Sequence, residues 1–275
     1  MATLQVLRKR YKSIQATADM ASALKTASSV KYARISRVLS NIDAYSLACD
    51  RTLALFGNEV LTRKTKDVKQ RNCMVLFSND RGFCGGFNSE LLRFFDEAYL
   101  SEAEKPLLLV FGQKGEAFCK GKGLDYESLP LKEIPAYRDA EELTDRLFGL
   151  YESGEVNQVK IVCQRFKNMM TQTPVCETIL PHLGGDESQT ADILFLPDRE
   201  TALRTPSMYC LTNSIYHIML GHCAGIQAAT TIAMRNACDN AEKSLEKLEI
   251  LINRIRQSDV TNSVIETSSY LVMEE

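Results

Sequence analysis

The stretch MRNACDNAEKSLEKLEILINRI (Met234–Ile255) decides the fold. Met234, Cys238, Ala241, Leu245, Leu248, Ile252 and Ile255 alternate four and three residues apart, the spacing of a coiled-coil seam. Arg235, Asp239, Glu242, Lys243, Glu246, Lys247 and Glu249 lie between them as a solvated face. Its like-charged i,i+4 pairs, Glu242–Glu246 and Lys243–Lys247, are partly offset by Lys243–Glu246. No Gly or Pro follows Gly225. A helix from about Ser207 to Val272 reaches roughly 100 Å at about 1.5 Å per residue. A seam of that length needs a partner.

The start of the chain supplies one. Leu4 to Phe56 contains no Gly or Pro, and Gly57 offers a stop. The seam there reads Leu7, Tyr11, Ile14, Ala18, Ala21, Lys25, Ser28, Tyr32, Ile35, Leu39, Ile42, Ser46, Cys49, Leu53 and Phe56. An isolated helix is marginal in water, whereas each fully buried Leu or Ile contributes about 1.5–3 kcal/mol. The two helices therefore close on each other as an antiparallel coiled coil. Matching small residues with small predicts Ile14 near Ile252, Ala21 near Leu245 and Ser28 near Cys238.

Between the helices the pattern changes. All seven prolines lie between Pro106 and Pro206, and most glycines between Gly82 and Gly185. The spacing predicts strands at Cys73–Ser78, Pro106–Phe111, Gln158–Gln164, Val175–Leu180 and Ile193–Leu196. Helices are expected at Ser89–Glu102, Lys114–Lys120 and Ala140–Ser153. This alternation implies an α/β domain with a mainly parallel sheet, inserted between the two helices. The chain divides by sequence into a coiled-coil helix (1–57), an α/β domain (70–200) and a second coiled-coil helix (207–272). A charged run from Arg63 to Arg71 marks the first linker.

Hydrophobic and charged contents of 45% and 25% are ordinary for a soluble protein. The longest apolar run, near Leu107–Phe111, is too short to span a bilayer, and the start shows no secretory pattern. Nine scattered cysteines without a C-x-x-C read as reduced, mostly buried thiols. The net charge of −2 hides an asymmetry. Met1–Arg37 carries Arg8, Lys9, Arg10, Lys12, Lys25, Lys31, Arg34 and Arg37 against the single acid Asp19. Such a face suits an anionic surface, a nucleic acid or an acidic protein, although a solvated face is the commoner case.

The loop SNDRGFCGGFN (Ser78–Asn88) follows a strand and precedes a helix, the setting in which backbone N–H groups cradle phosphate. It lacks the Walker Lys-Ser/Thr, and Cys84 and Phe87 break the G-x-G-x-x-G spacing. A tight turn explains it better. His217, His222 and Cys223 are poorly spaced for a metal, and no acid/base pair or triad emerges, so no cofactor and no catalysis are expected. Arg254, Arg256 and Gln257 can make charge-assisted bonds to another chain's carboxylates, and an antiparallel pairing brings the basic first helix past them. The alternatives are an α/β nucleotide-binding protein and a coiled-coil scaffold with a basic helix.

With these residues in view, nearly the whole chain resembles the γ subunits of F-type ATP synthases. LRKRYKSIQAT (Leu7–Thr17), SNDRGFCGGFN, VFGQKG (Val110–Gly115) and LYESGEVNQVKIVCQRFKNMMTQTP (Leu150–Pro174) carry the likeness in order. AMRNACDNAEKSLEKLEILINRIRQSDVTNSVIE (Ala233–Glu266) is the most specific of the motifs. The sequence departs from the family at Gly225, Ile226 and Thr230, where Ser-Glu and Arg are usual, and at Ser22, Leu24 and Thr26, where the run is usually Lys- and Met-rich. The grip on the catalytic head around these positions is therefore expected to differ. The resemblance implies a non-catalytic central-stalk rotor, one copy per complex, peripheral on the cytoplasmic face of an energy-transducing membrane. It implies α and β subunits, an ε subunit and a membrane c-ring as partners. It casts Arg254, Arg256 and Gln257 as contacts to β catch loops, with Arg8, Lys9, Arg10 and Lys12 meeting acidic loops of β. Ser258–Val272 would turn as a weakly held bearing. The seam of Ile14, Ala21, Ser28, Ile35, Cys238, Leu245, Leu248, Ile252 and Ile255 forms the shaft.

Overall fold

A computed structural model describes residues 2–56, 71–181 and 199–273. The elements run α1 (Ala2–Phe56), β1 (Cys73–Phe77), α2 (Phe87–Leu100), β2 (Leu107–Phe111), α3 (Gln113–Lys122), β3 (Glu127–Leu129), α4 (Tyr137–Glu152), β4 (Val159–Asn168), β5 (Thr171–Leu180) and α5 (Arg199–Met273). The expected strand at Ile193–Leu196 and the Arg63–Arg71 linker up to residue 70 lie outside the described residues. Helix α5 begins earlier than Ser207 and carries Pro206 inside it.

By packing, the chain divides into Met1–Ala27 with Thr231–Glu275, and Ser28–Thr230. This partition differs from the division by sequence, because the latter part of α1 and the first part of α5 pack with the sheet.

In the larger unit the strand order is β3-β2-β1-β4-β5, with β5 antiparallel to β4 and all other pairs parallel. Parallel strands are covered on both faces and so read as continuous apolar runs, as CMVLF of β1 does, every residue buried. The pleat sends Met74 and Leu76 to Leu91, Phe95 and Cys119 of α2 and α3. It sends Cys73, Val75 and Phe77 to the opposite face. There they meet Leu143 and Leu147 of α4, Ile35 and Leu39 of α1, and Leu211, Ile215 and Leu220 of α5. The α1·α5 contact is thus part of a three-layer core.

From Leu7 to Cys49 every seam residue of α1 is buried or half-buried, as are all seven from Met234 to Ile255 on α5. The pairing is antiparallel. In the larger unit the Cys210 thiol approaches the Cys49 carbonyl (3.9 Å), Asn213 Nδ2 donates to Ser46 Oγ (2.8 Å), and His217 Nε2 lies 2.9 Å from Asp43 Oδ1.

The expected register is wrong by about one heptad. In the smaller unit Ala21 packs with Met234 and Cys238, and the Cys238 thiol meets the Ala18 carbonyl at 3.9 Å. Cys238 is therefore a partner of Ala18 and Ala21 rather than Ser28, and Leu245 is not opposite Ala21. The cause is the repeat itself. A seven-residue pattern is satisfied equally by any seven-residue slip, so the choice falls to contacts such as Asn213–Ser46, which the pattern does not contain.

Under mild oxidation an Ala21→Cys variant should form a disulfide with native Cys238. Ala21→Cys with Leu245→Cys in a Cys238→Ser background should not. Non-reducing electrophoresis reads both, and the opposite result would restore the heptad-shifted register.

Candidate functional site

The glycine loop was the first candidate, and its first polar groups turn to the start of α3, while α2, the helix it leads into, has Gly86 at its N-cap and no side-chain cap. A phosphate cradle needs free N–H groups at a helix start. At α3 the Gln113 N–H donates to Asp80 Oδ1 (3.0 Å), Lys114 N–H to the Asn79 carbonyl (3.0 Å) and Gly115 N–H to Ser78 Oγ (2.8 Å). The Ser78 hydroxyl in turn donates to the Phe111 carbonyl at 2.7 Å. The loop has itself become the cap. VFGQKG follows from the same packing. Gly112 sits at φ +90°, and a Cβ on Gly115 would lie 2.7 Å from Ser78 Oγ and 2.9 Å from a Val110 methyl.

Open α/β sheets place ligands at the carboxyl ends of the strands, where the strand order reverses. Here that crevice lies between β1 and β4, and α5 fills it. Ile226, which is 6% exposed, packs with Cys84 and Phe87 of the loop. The His222 ring lies 5.4 Å from the Phe87 ring. Gly225 and Ile226 thus face the protein interior, and the Thr230 hydroxyl bonds back to the Ile226 carbonyl (2.8 Å). Gly225 and Ile226 are buried within this unit, and Thr230 is half-buried. Ser22 and Thr26 are exposed on α1, where the Thr26 hydroxyl donates to the Ser22 carbonyl at 3.0 Å.

Neither histidine is arranged as a metal ligand, and among the described residues no cluster of three His, Cys, Asp or Glu side chains occurs. His217 pairs with Asp43 of α1, a carboxylate that proximity in sequence could not reveal. His222 is 1% exposed, and its Nδ1 accepts from the Gln164 backbone N–H (3.2 Å). Burial pushes its imidazole down to about 4, opposed in part by the Ser78 backbone. Eight of the nine cysteines are buried, Cys176 being the exposed one. Burial pushes the Cys73 and Cys223 thiols up to about 12, so they behave as small apolar side chains.

The loop is also strapped to α1. Lys31 Nζ lies 2.7 Å from Glu133 Oε2, with Arg81 3.5 Å from the other oxygen. The hydrogen bond from Lys31 holds the Glu133 carboxyl below its usual range. Sequence reasoning had noted Lys31 only as part of a basic face. The signal for Gln164, Glu133 and Asp43 is tertiary and has no local pattern.

The remaining candidates lie in the smaller unit. Arg8, Lys9, Arg10 and Lys12 are exposed on α1, and Arg254, Arg256 and Gln257 are exposed on α5. From the Cys238–Ala18 register, Arg254 lies level with the first residues of α1. It is therefore about one to two turns beyond Arg8 rather than beside the whole basic run. From Arg256 to Ile265 every residue is exposed, including Val260, Val264 (62%) and Ile265 (58%). The hydroxyls of Thr261 and Ser263 bond back to the Gln257 and Asp259 carbonyls at 2.9 and 3.0 Å.

Two measurements check this account. Gly115→Ala should lose about 1–3 kcal/mol in urea unfolding, the usual cost of overpacking; no loss would mean that Ser78 moves freely. His222 has a folded pKa below its unfolded value of about 6.5. Its stabilising contribution is complete above that pH and is lost as pH falls through about 4. His222→Gln should therefore flatten the stability profile between pH 7 and pH 4 by on the order of 2–3 kcal/mol. An unchanged slope would contradict the burial of the neutral ring.

A family model described as ATP synthase matches residues 3–269. The ATP synthase gamma chain of Rubrobacter xylanophilus is 27% identical over 282 residues, covering 98% of this chain and 97% of its own. That of Bdellovibrio bacteriovorus is 30% identical over 290 residues, covering 98% of each. Among solved structures, a chain of the Euglena gracilis mitochondrial ATP synthase rotor superposes with a TM-score of 0.67 at 16% identity, covering 94% of this chain and 99% of that one. A chain from the central stalk and c-ring of the Tetrahymena thermophila mitochondrial ATP synthase gives 0.61 at 19% identity, covering 79% and 99%. The structural likenesses support the fold, and the sequence matches carry the descent. A closed crevice, a seam-paired pair of long helices and a match from end to end agree: the chain belongs to the ATP synthase gamma chain family, the non-catalytic central-stalk rotor subunits of that enzyme.

Proposed function

We propose that this chain works as a shaft whose exposed residues bias the conformations of a surrounding catalytic head. The observation that carries the reading is the family match together with the polar ends left exposed on the paired helices. One shaft inside a three-fold head shows each β subunit a different face, so their equilibria cannot be equal. A contact shifts an equilibrium only by its differential affinity for the two states. Driving a site from mostly closed to mostly open takes about 5.5 kcal/mol. Hydrogen bonds to charged groups contribute about 1.5–3 kcal/mol each, so a few contacts suffice.

Arg254, Arg256 and Gln257 are the residues assigned to β catch loops, and Arg8, Lys9, Arg10 and Lys12 meet acidic loops of β. The sheet unit takes the c-ring and an ε subunit, and the chain is present once per complex. The exposed Val264 and Ile265 turn inside an apolar collar. No helix among the described residues is long and apolar enough to cross a membrane, which fits a peripheral place beside the ring.

The direct test is stoichiometry: affinity-tagged chain should purify with α, β and ε at one copy per complex, and recovery without α and β would contradict the proposal. In that complex, Arg254→Ala with Arg256→Ala should remove on the order of 3–6 kcal/mol of differential contact and lower ATP synthesis at least tenfold. Undiminished synthesis would remove these arginines from the mechanism. Val264→Glu with Ile265→Glu should impair assembly or ATP-driven rotation, and unchanged rotation would count against the collar.

A further inference from the structure

A shaft helix must be held against turning about its own axis wherever it is driven. Most of the α5 contact with the sheet is apolar: Leu211, Ile215, Met219, Leu220 and Ala224 lie on the strand face. Apolar burial is non-directional, so it holds the helix down more firmly than it fixes its angle. Directional contacts are needed for the angle; besides those that α5 makes to helices, such as Asn213–Ser46 and Arg204–Glu152, one ties it to the sheet at a residue of β4. Gln164 is 1% exposed. Its backbone N–H donates to His222 Nδ1 on α5 (3.2 Å), and its side-chain amide donates to the Phe87 carbonyl at the start of α2 (3.1 Å).

Phe87 completes the arrangement. Its ring edge lies over Gly225, where a Cβ would come within 3.1 Å of Phe87 Cε2 and 3.3 Å of Gln172 Cγ. His222 and Gly225 are three residues apart and so share a face of α5. On that face the imidazole flanks the ring that the glycine notch receives. Ile226 closes the far side against Cys84.

We propose that Phe87 is a key seated in the Gly225 notch, held by Gln164 and His222, and that it is the positioning contact that imposes rotation of the sheet on α5. This rests on the rotor reading above. It assigns these four residues a role in transmitting torque rather than in binding a ligand.

The test uses the assembled complex in membrane vesicles, comparing ATP-driven proton pumping with ATP hydrolysis, alongside amide exchange across residues 218–228. Gly225→Val should displace the key, and Phe87→Ala should remove it. Each should lower pumping per ATP at least twofold while hydrolysis persists, with about tenfold faster exchange in that segment. Combining Phe87→Ala with Gly225→Val refills the notch and should recover at least half of the lost coupling. Simple destabilisation would instead make the double variant worse than either single one. Normal pumping in both single variants, or a double variant that is only worse, overturns the key. Failure of the unaltered complex to pump either protons or sodium ions would overturn the rotor reading instead, so the two failures are distinguishable. Should Gly225→Val prevent assembly, Gln164→Met serves in its place, with the same loss of coupling expected and normal coupling overturning the proposal.

Discussion

The structure depends on two helices being docked side by side on one face of one sheet. Ile35 and Leu39 of α1 share a core with Leu211, Ile215 and Leu220 of α5, and both sets rest on Val75, Phe77 and Leu109. A seam alone gives two helices a reason to pair but leaves seven-residue slips nearly equal in energy. The sheet removes that freedom, because each helix presents a different set of side chains to the strands. The part-buried Asn213–Ser46 bond adds a second constraint. Breaking it leaves a polar group with a desolvation cost of about 1–3 kcal/mol. The register is therefore a property of the whole core.

The same packing ties the glycine-rich first loop to its neighbours. The loop's polar groups are spent on the start of α3, and the crevice at the reversal of strand order holds α5. Here it joins the helix to the sheet, which suits a part whose work is mechanical.

Much of this was legible in the sequence, for reasons that differ by element. The seam was readable because heptad spacing is local, and every described position of it is covered. Strands β1 and β2 were readable as short apolar runs. The hairpin of β4 and β5 proved longer than expected because its tip, Arg165 to Pro174, mixes charged and polar residues with Phe166, Met169 and Met170 and carries no strict alternation. The three-residue β3 gives no signal at all. The register was misread because the matching of small residues is weaker than the sheet contacts that decide it. Asp43 beside His217 and Gln164 beside His222 are separated by 174 and 58 residues. Their partnerships exist only after the chain has folded, so both histidines were left as isolated residues.

The central claim is that α1 and α5 move as one body rather than sliding or twisting past each other during work. The Ser46–Asn213 contact, at 2.8 Å, offers a place to fasten them. Replacing both residues by cysteine and closing the disulfide in the assembled enzyme should leave proton-driven ATP synthesis at the rate of the reduced form. Synthesis that stops on oxidation and returns on reduction would show that the helices must move against each other, and would contradict the account.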